Sequence, residues 1–150
     1  MIFTPELEED ILSGKVTGEQ FIHMLVDDFE LYADACLKIQ TKAGELIPFK
    51  LNNPQKIFLE ICRKQIKETG RIRLIIVKGR QMGISTFIEG ILFRMSQMMP
   101  NHHVKVIAHD SEAVVRIFDM AKRFYKYLPE FLRPMTKFNN RQELTFANPD

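Results

Sequence analysis

The run Leu74-Ile75-Ile76-Val77-Lys78-Gly79-Arg80-Gln81-Met82-Gly83-Ile84-Ser85-Thr86 decides how the rest of the chain is read. Leu74 to Val77 is unbroken, apolar and largely β-branched, the composition of a buried strand. A short polar turn with glycines follows, and Ser85-Thr86 opens an apolar-periodic helix. Strand, tight turn and helix is the layout that aims backbone N–H groups and a helix N-terminus at a phosphate. The standard phosphate loop is G-x-x-x-x-G-K-[ST]. With Gly83 as its second glycine and Ser85 as its hydroxyl, Lys78 takes the first-glycine position and Ile84 the lysine position. Isoleucine brings no charge, so the cation for a β- or γ-phosphate has to come from Lys78 or Arg80. Ser85 keeps the Mg²⁺-coordinating hydroxyl, and Thr86 can reach a phosphate oxygen. The competing reading is a strand-to-helix turn whose glycines merely relieve crowding. Such a turn has no use for two cations and two hydroxyls around one glycine.

The stretch Lys78-Gly79-Arg80-Gln81-Met82-Gly83-Ile84-Ser85-Thr86 resembles the deviant phosphate loop of the large subunit of tailed-phage terminases, the DNA-packaging motors. Their loops often read (K)-x-R-Q-x-G-x-S/T, with the lysine sometimes moved to the front as here. The resemblance runs from about residue 36 to 148. It takes in the V-I-A-H-D-S-E-A stretch around His109 and an N-x-x-E-L-x-F-x-N pattern ending at Asn148. It implies an α/β fold: a P-loop NTPase-type parallel sheet flanked by helices, preceded by an N-terminal helical arm and a short β-hairpin.

Size and composition agree with an ordinary globular domain. The chain has 150 residues, 45% apolar and 27% charged, enough for one core. No apolar run is long enough to span a bilayer, and the acidic start (Glu6, Glu8, Glu9, Asp10) is unlike a secretory signal. Cys36 and Cys62 lie far apart without metal-ligand spacing and read as reduced, buried thiols. His102, His103 and His109 have no carboxylate or cysteine at ligand spacing, which speaks against a metal site built on them.

Charge divides the chain. Residues 1–34 hold nine carboxylates against one lysine, a net of −8, and residues 35–150 a net of +10. The body suits phosphate partners, either nucleotide or nucleic-acid backbone. The acidic arm, taken as a separate unit over 1–34, suits a protein contact or a shield.

Along the chain, Thr4 and Pro5 start a short helix to about Leu12. Thr17 and Gln20 form a capping box for a second helix whose stripe is Phe21, Leu25, Phe29 and Tyr32. Cys36 to Gln40 and Leu46 to Leu51 read as a hairpin round Ala43-Gly44-Glu45, its second strand at an edge because of Pro48. Asn52-Asn53-Pro54-Gln55 opens a helix to about Thr69 with Ile57, Phe58, Ile61 and Ile66 on one face, ended by Gly70. The helix from Ser85 to about Met99 buries Phe87, Ile88, Ile91, Leu92 and Met95. Val104 to Ala108 reads as a second buried strand, and His109-Asp110-Ser111 caps a helix with Val114, Ile117, Phe118, Ala121, Phe124 and Leu128 inward. Glu143 to Ala147 reads as a strand, and Asn148-Pro149-Asp150 as a turn.

The terminase resemblance implies roles. An N-P-Q element before the loop reads adenine, which places Gln55 at the base, with Phe49 or Leu51 beside the ring. A carboxamide offers the donor and acceptor that adenine's edge demands. Lys78 and Arg80 neutralise β/γ-phosphate charge as the catalytic cations. Gly79, Gln81, Met82, Gly83, Ile84, Ser85 and Thr86 cradle ATP, and Ser85 holds Mg²⁺. In the whole motor the partners are double-stranded DNA, a portal protein and the small terminase subunit. The subunits form a ring in the host cytoplasm, away from any membrane. No apolar strand ending in Asp-Glu occurs here to hold Mg²⁺ from the far side. The chain is therefore expected to be the N-terminal half of the ATPase domain, without the nuclease domain, and to hydrolyse ATP little alone. Two other readings stand: a superfamily-2 helicase-like nucleic-acid-binding fragment, whose loops keep the lysine that Ile84 replaces, and a non-catalytic interaction module working through the acidic helices.

Overall fold

The computed structural model describes residues 4–139 and 143–146. Among them are six helices and two small antiparallel sheets, a mixed α/β arrangement. Helix α1 (Pro5–Leu12) starts where Thr4 Oγ1 accepts from Leu7 N–H. Helix α2 (Gly18–Asp27) carries the expected Thr17/Gln20 box.

The chain does not continue helically to Tyr32 as the stripe suggested. Asp28 leaves helical geometry, and its carboxylate accepts from Glu30 and Leu31 N–H, starting α3 (Phe29–Cys36). A side chain that satisfies the next helix's orphan donors competes with continuing the first helix. The corner lets α2 give Leu25 and α3 give Phe29, Leu31 and Tyr32 to one core. The boundary drawn after residue 34 thus falls inside a core helix.

The hairpin forms around the expected turn, with shorter strands. β1 (Lys38–Gln40) pairs with β2 (Leu46–Pro48) in the register Ile39 to Ile47. Cys36 stays in α3, and Phe49 and Leu51 follow the hairpin into the core.

Helix α4 (Asn53–Thr69) ends on Gly70 in the left-handed region, as its sequence demanded. Its buried face is a correction to the expected one. Gln55, Leu59 and Cys62 are inside, whereas Ile57, Ile61 and Ile66 are exposed. Of the expected face only Phe58 packs on the core, meeting Phe87 edge-on at 5.5 Å, so the inward face runs through Phe58 and Leu59 rather than through the isoleucines.

Helix α5 (Ile84–Met98) is the central element. Phe87 is fully buried, edge-on to Phe29 at 5.4 Å. One turn on, a Cβ at Gly90 would lie 3.2 Å from the rings of both Phe29 and Phe49 and 3.3 Å from Leu37. Helix α6 (Ser111–Tyr127), capped by Asp110 as expected, packs on α5 through Ala121 and Phe124. A 3₁₀ turn (Glu130–Leu132) leads to β3 (Thr136–Asn139), paired antiparallel with β4 (Leu144–Phe146). Phe146 docks this hairpin on Phe93 and Tyr125. The expected extension to Ala147 and the turn Asn148-Pro149-Asp150 lie outside the described residues.

The two runs read as buried strands are the main departure. Leu74–Val77 and Val104–Ala108 hold no regular structure and make no backbone hydrogen bond to any described residue. Ile75 is 98% exposed, Val77 97% and Ile107 93%. An apolar run specifies extended backbone, but burial needs neighbours on both sides, and no described element supplies them. A parallel sheet is therefore not seen among the described residues. No helix among them is long and apolar enough to cross a membrane.

Candidate functional site

The glycine turn and the start of α4 are fastened together. Asn52 and Gln55 form a capping box: Asn52 Oδ1 accepts from Gln55 N–H at 3.0 Å, and Gln55 Oε1 accepts from Asn52 N–H at 2.9 Å. The remaining amide groups reach the turn. Gln55 Nε2 donates to Gly83 O at 2.8 Å, and Asn52 Nδ2 donates to Met82 O at 3.3 Å. Gln55 is buried, so both ends of its carboxamide are committed inside the protein. A Cβ at Gly83 would come within 2.7 Å of Gln55 Nε2, and the residue sits at φ +71°. Only glycine fits there. From the other side, Lys42 in the hairpin turn donates to Gln81 Oε1 at 2.9 Å.

Within the turn, Gln81 (φ 64°) and Gly83 are both left-handed, with Met82 between them. Alternating handedness gathers successive N–H groups into a concavity suited to anions. The N-cap of α5 is Gly83, with no side-chain cap. The N–H groups of Ile84, Ser85 and Thr86 therefore lack a described partner, at the positive end of a four-turn helix. The Met82 sulfur would lie 3.7 Å from a Cβ at Gly79, closing the turn's outer side.

The hydroxyls and cations are placed unequally. Ser85 is exposed and has no described partner for its hydroxyl, whereas Thr86 turns inward and donates to Met120 Sδ at 3.6 Å. Lys78 and Arg80 are exposed, with no described ion pair. Neither lines the cleft that opens beside Gly83. Ile84 packs into the core, 4% exposed.

That cleft, about 270 Å³, brings together Gln55, Gly83 and Thr86 from the predicted set. Its apolar floor includes Ile39, Phe49 and Phe124, the last two stacked nearly parallel at 6.3 Å. Lys50 and Arg123 are its cations. Leu51 is not at its wall. Asp34 lies buried behind Lys50, with Oδ1 4.0 Å from Nζ.

Sequence reasoning missed Asn52, Lys42, Lys50 and Arg123. The Asn52-x-x-Gln55 spacing carries a readable signal for the capping box. Nothing local marks Arg123, whose place depends on how α6 packs.

Other titratable groups are structural. Burial pushes the Cys36 thiol up to about 12 and the Glu89 carboxyl up to about 7. The acidic α3 pairs with the basic body: Glu30 meets Lys56 at 2.7 Å, and Asp28 meets Arg63 at 3.4 Å. No group of three or more potential metal ligands occurs among the described residues. No protein-family model matches the chain, and no curated protein matches it in sequence.

Proposed function

We propose that this chain binds a nucleoside triphosphate with Mg²⁺ as part of a terminase-type DNA-packaging ATPase, and that residues 78–86 are its phosphate loop. The observation that carries the reading is the uncapped start of α5. Its N–H groups, without a partner among the described residues, follow a turn of alternating handedness, with the exposed Lys78 and Arg80 a few residues before it in the chain. That is the geometry an anion needs, since backbone donors and the helix dipole act together. Ser85, exposed and without a partner among the described residues, is the hydroxyl for Mg²⁺. Lys78 and Arg80 swing onto the β/γ-phosphates from the exposed side of the turn. The base and ribose occupy the cleft beside Gly83, over Phe49.

The finer fold belongs to the same proposal. Leu74–Val77 and Val104–Ala108 are strands of a parallel sheet. Their apolar character, with Ile75, Val77 and Ile107 almost fully exposed, supports this, because such runs are stable only when paired. ATP-driven translocation of double-stranded DNA, the ring, and contacts with portal and small subunit are the roles of the assembled motor. Alone, the chain is expected to turn over ATP little, for want of an acidic strand end to complete the metal site.

Calorimetric titration with Mg·ATP tests this. Binding is expected, weakened at least tenfold in Lys78→Ala and Arg80→Ala, each of which removes a charge-assisted contact. Absence of binding in the unaltered chain would sink the reading. It would favour the second one, an interaction module, for which the exposed Ile75, Val77 and Ile107 speak.

A further inference from the structure

The cleft beside Gly83 needs a residue that reads its occupant, and Gln55 is poorly free to do it. Reading adenine takes a carboxamide with an open donor and an open acceptor. Here the oxygen is held by Asn52 N–H and the nitrogen by Gly83 O, at 2.9 and 2.8 Å. Turning the amide to a base would break the α4 cap and release the loop together.

Arg123 is placed differently. The other cations of α6 have partners: Arg116 pairs with Glu112, Lys122 lies over Phe118, and Lys126 over Tyr127. Arg123 alone among them has no described ion pair, hydrogen bond or ring contact, and it is half-buried at the cleft wall. Lys50 stands at the same wall, backed by Asp34. A guanidinium and an ammonium donate only.

Resting on the nucleotide reading above, we infer that Arg123, assisted by Lys50, is the residue that contacts the base-and-ribose end of the nucleotide, while Gln55 is a positioning residue that sets the phosphate loop through Gly83. The cleft then selects by acceptors, purine ring nitrogens and ribose oxygens, which ATP and GTP share. Nucleobase discrimination is weak, and a purine nucleotide is recognised as a class.

Titrations of the whole chain with Mg·ATP, Mg·GTP and Mg·tripolyphosphate separate the two roles, because tripolyphosphate fills only the loop. Arg123→Ala is expected to weaken ATP about tenfold or more, the loss of one charge-assisted contact, and to leave tripolyphosphate within about twofold. Arg123→Lys should restore part of the loss. Gln55→Glu keeps the oxygen for Asn52 N–H but loses the donor to Gly83 O. It should weaken ATP and tripolyphosphate by the same factor, leaving their ratio unchanged. ATP and GTP should bind the unaltered chain within about fivefold, since the shared acceptors differ little in strength.

Equal losses of both ligands in Arg123→Ala, or no loss, would overturn the assignment. So would an ATP preference above about tenfold over GTP that disappears in Gln55→Glu, because that factor is what a lost bidentate base contact costs. If tripolyphosphate binds and ATP binds no tighter, this inference fails while the phosphate loop stands. If neither binds, both fail.

Discussion

The run Leu74–Val77 is wholly apolar and the helix α5, a few residues on, is apolar along one side only, yet it is the helix that is buried. Phe87 is wholly enclosed by rings from α3 and α4, whereas Ile75 and Val77 are almost bare. The supply of neighbours set the burial of each. A helix satisfies its own backbone and needs only side-chain contacts, which α3, α4 and α6 provide. A strand needs a ladder as well, and an unpaired one exposes donors and acceptors along with its side chains.

The largest test of this contrast is Phe87→Ala. Removing a ring packed against Phe29 and Phe58 should cost about 3–5 kcal/mol in urea unfolding. A loss below about 1 kcal/mol would mean that the centre of the core lies elsewhere. Next comes Glu89, buried in the same helix. Its folded pKa of about 7 stands above the ordinary 4.5, so between those values the folded state holds a proton that the unfolded state releases. Stability should therefore fall from pH 4.5 to 7 and level off above, by about 3 kcal/mol at most. Glu89→Gln should flatten that decline in denaturation midpoints measured at pH 5 and 8; an unchanged slope would assign it to other groups. The N-cap of α6 is a smaller effect: Asp110→Ala should cost about 1 kcal/mol. Smallest are Ile75→Ser and Val77→Ser, each expected within about 0.5 kcal/mol of the parent. Their effect should show instead as reduced self-association by light scattering, since exposed apolar edges promote it. A loss of several kcal/mol at either position would show that the run is packed after all.

What could be read in advance follows the same division. Caps at Thr4, Thr17, Asn52 and Asp110 and the stop at Gly70 are local chemistry, and each sits where its residue type required. The hairpin round Gly44 is equally local. The break at Asp28 was legible in principle, but an aromatic stripe running through it disguised the cap. The inward face of α4 was legible only in part: Phe58 packs inward as read, but Ile57, Ile61 and Ile66 stay outside while Gln55, Leu59 and Cys62 are buried, which depends on how the helix is turned against its neighbours. In the candidate site, the turn and its glycine could be read from spacing alone. The double commitment of Gln55 and the approach of Arg123 could not, since both depend on elements dozens of residues apart.

Gly90 carries a mechanical consequence. Rings from two elements and Leu37 rest on a flat spot one residue wide on α5. Rotating the helix, or sliding it by a turn of about 5.4 Å, would drive a larger side chain into those rings. Helix α5 therefore cannot ratchet independently of α3 and the segment after the first hairpin. A displacement of the glycine turn would therefore move this block as a whole, with compliance left to its junctions rather than to its interior.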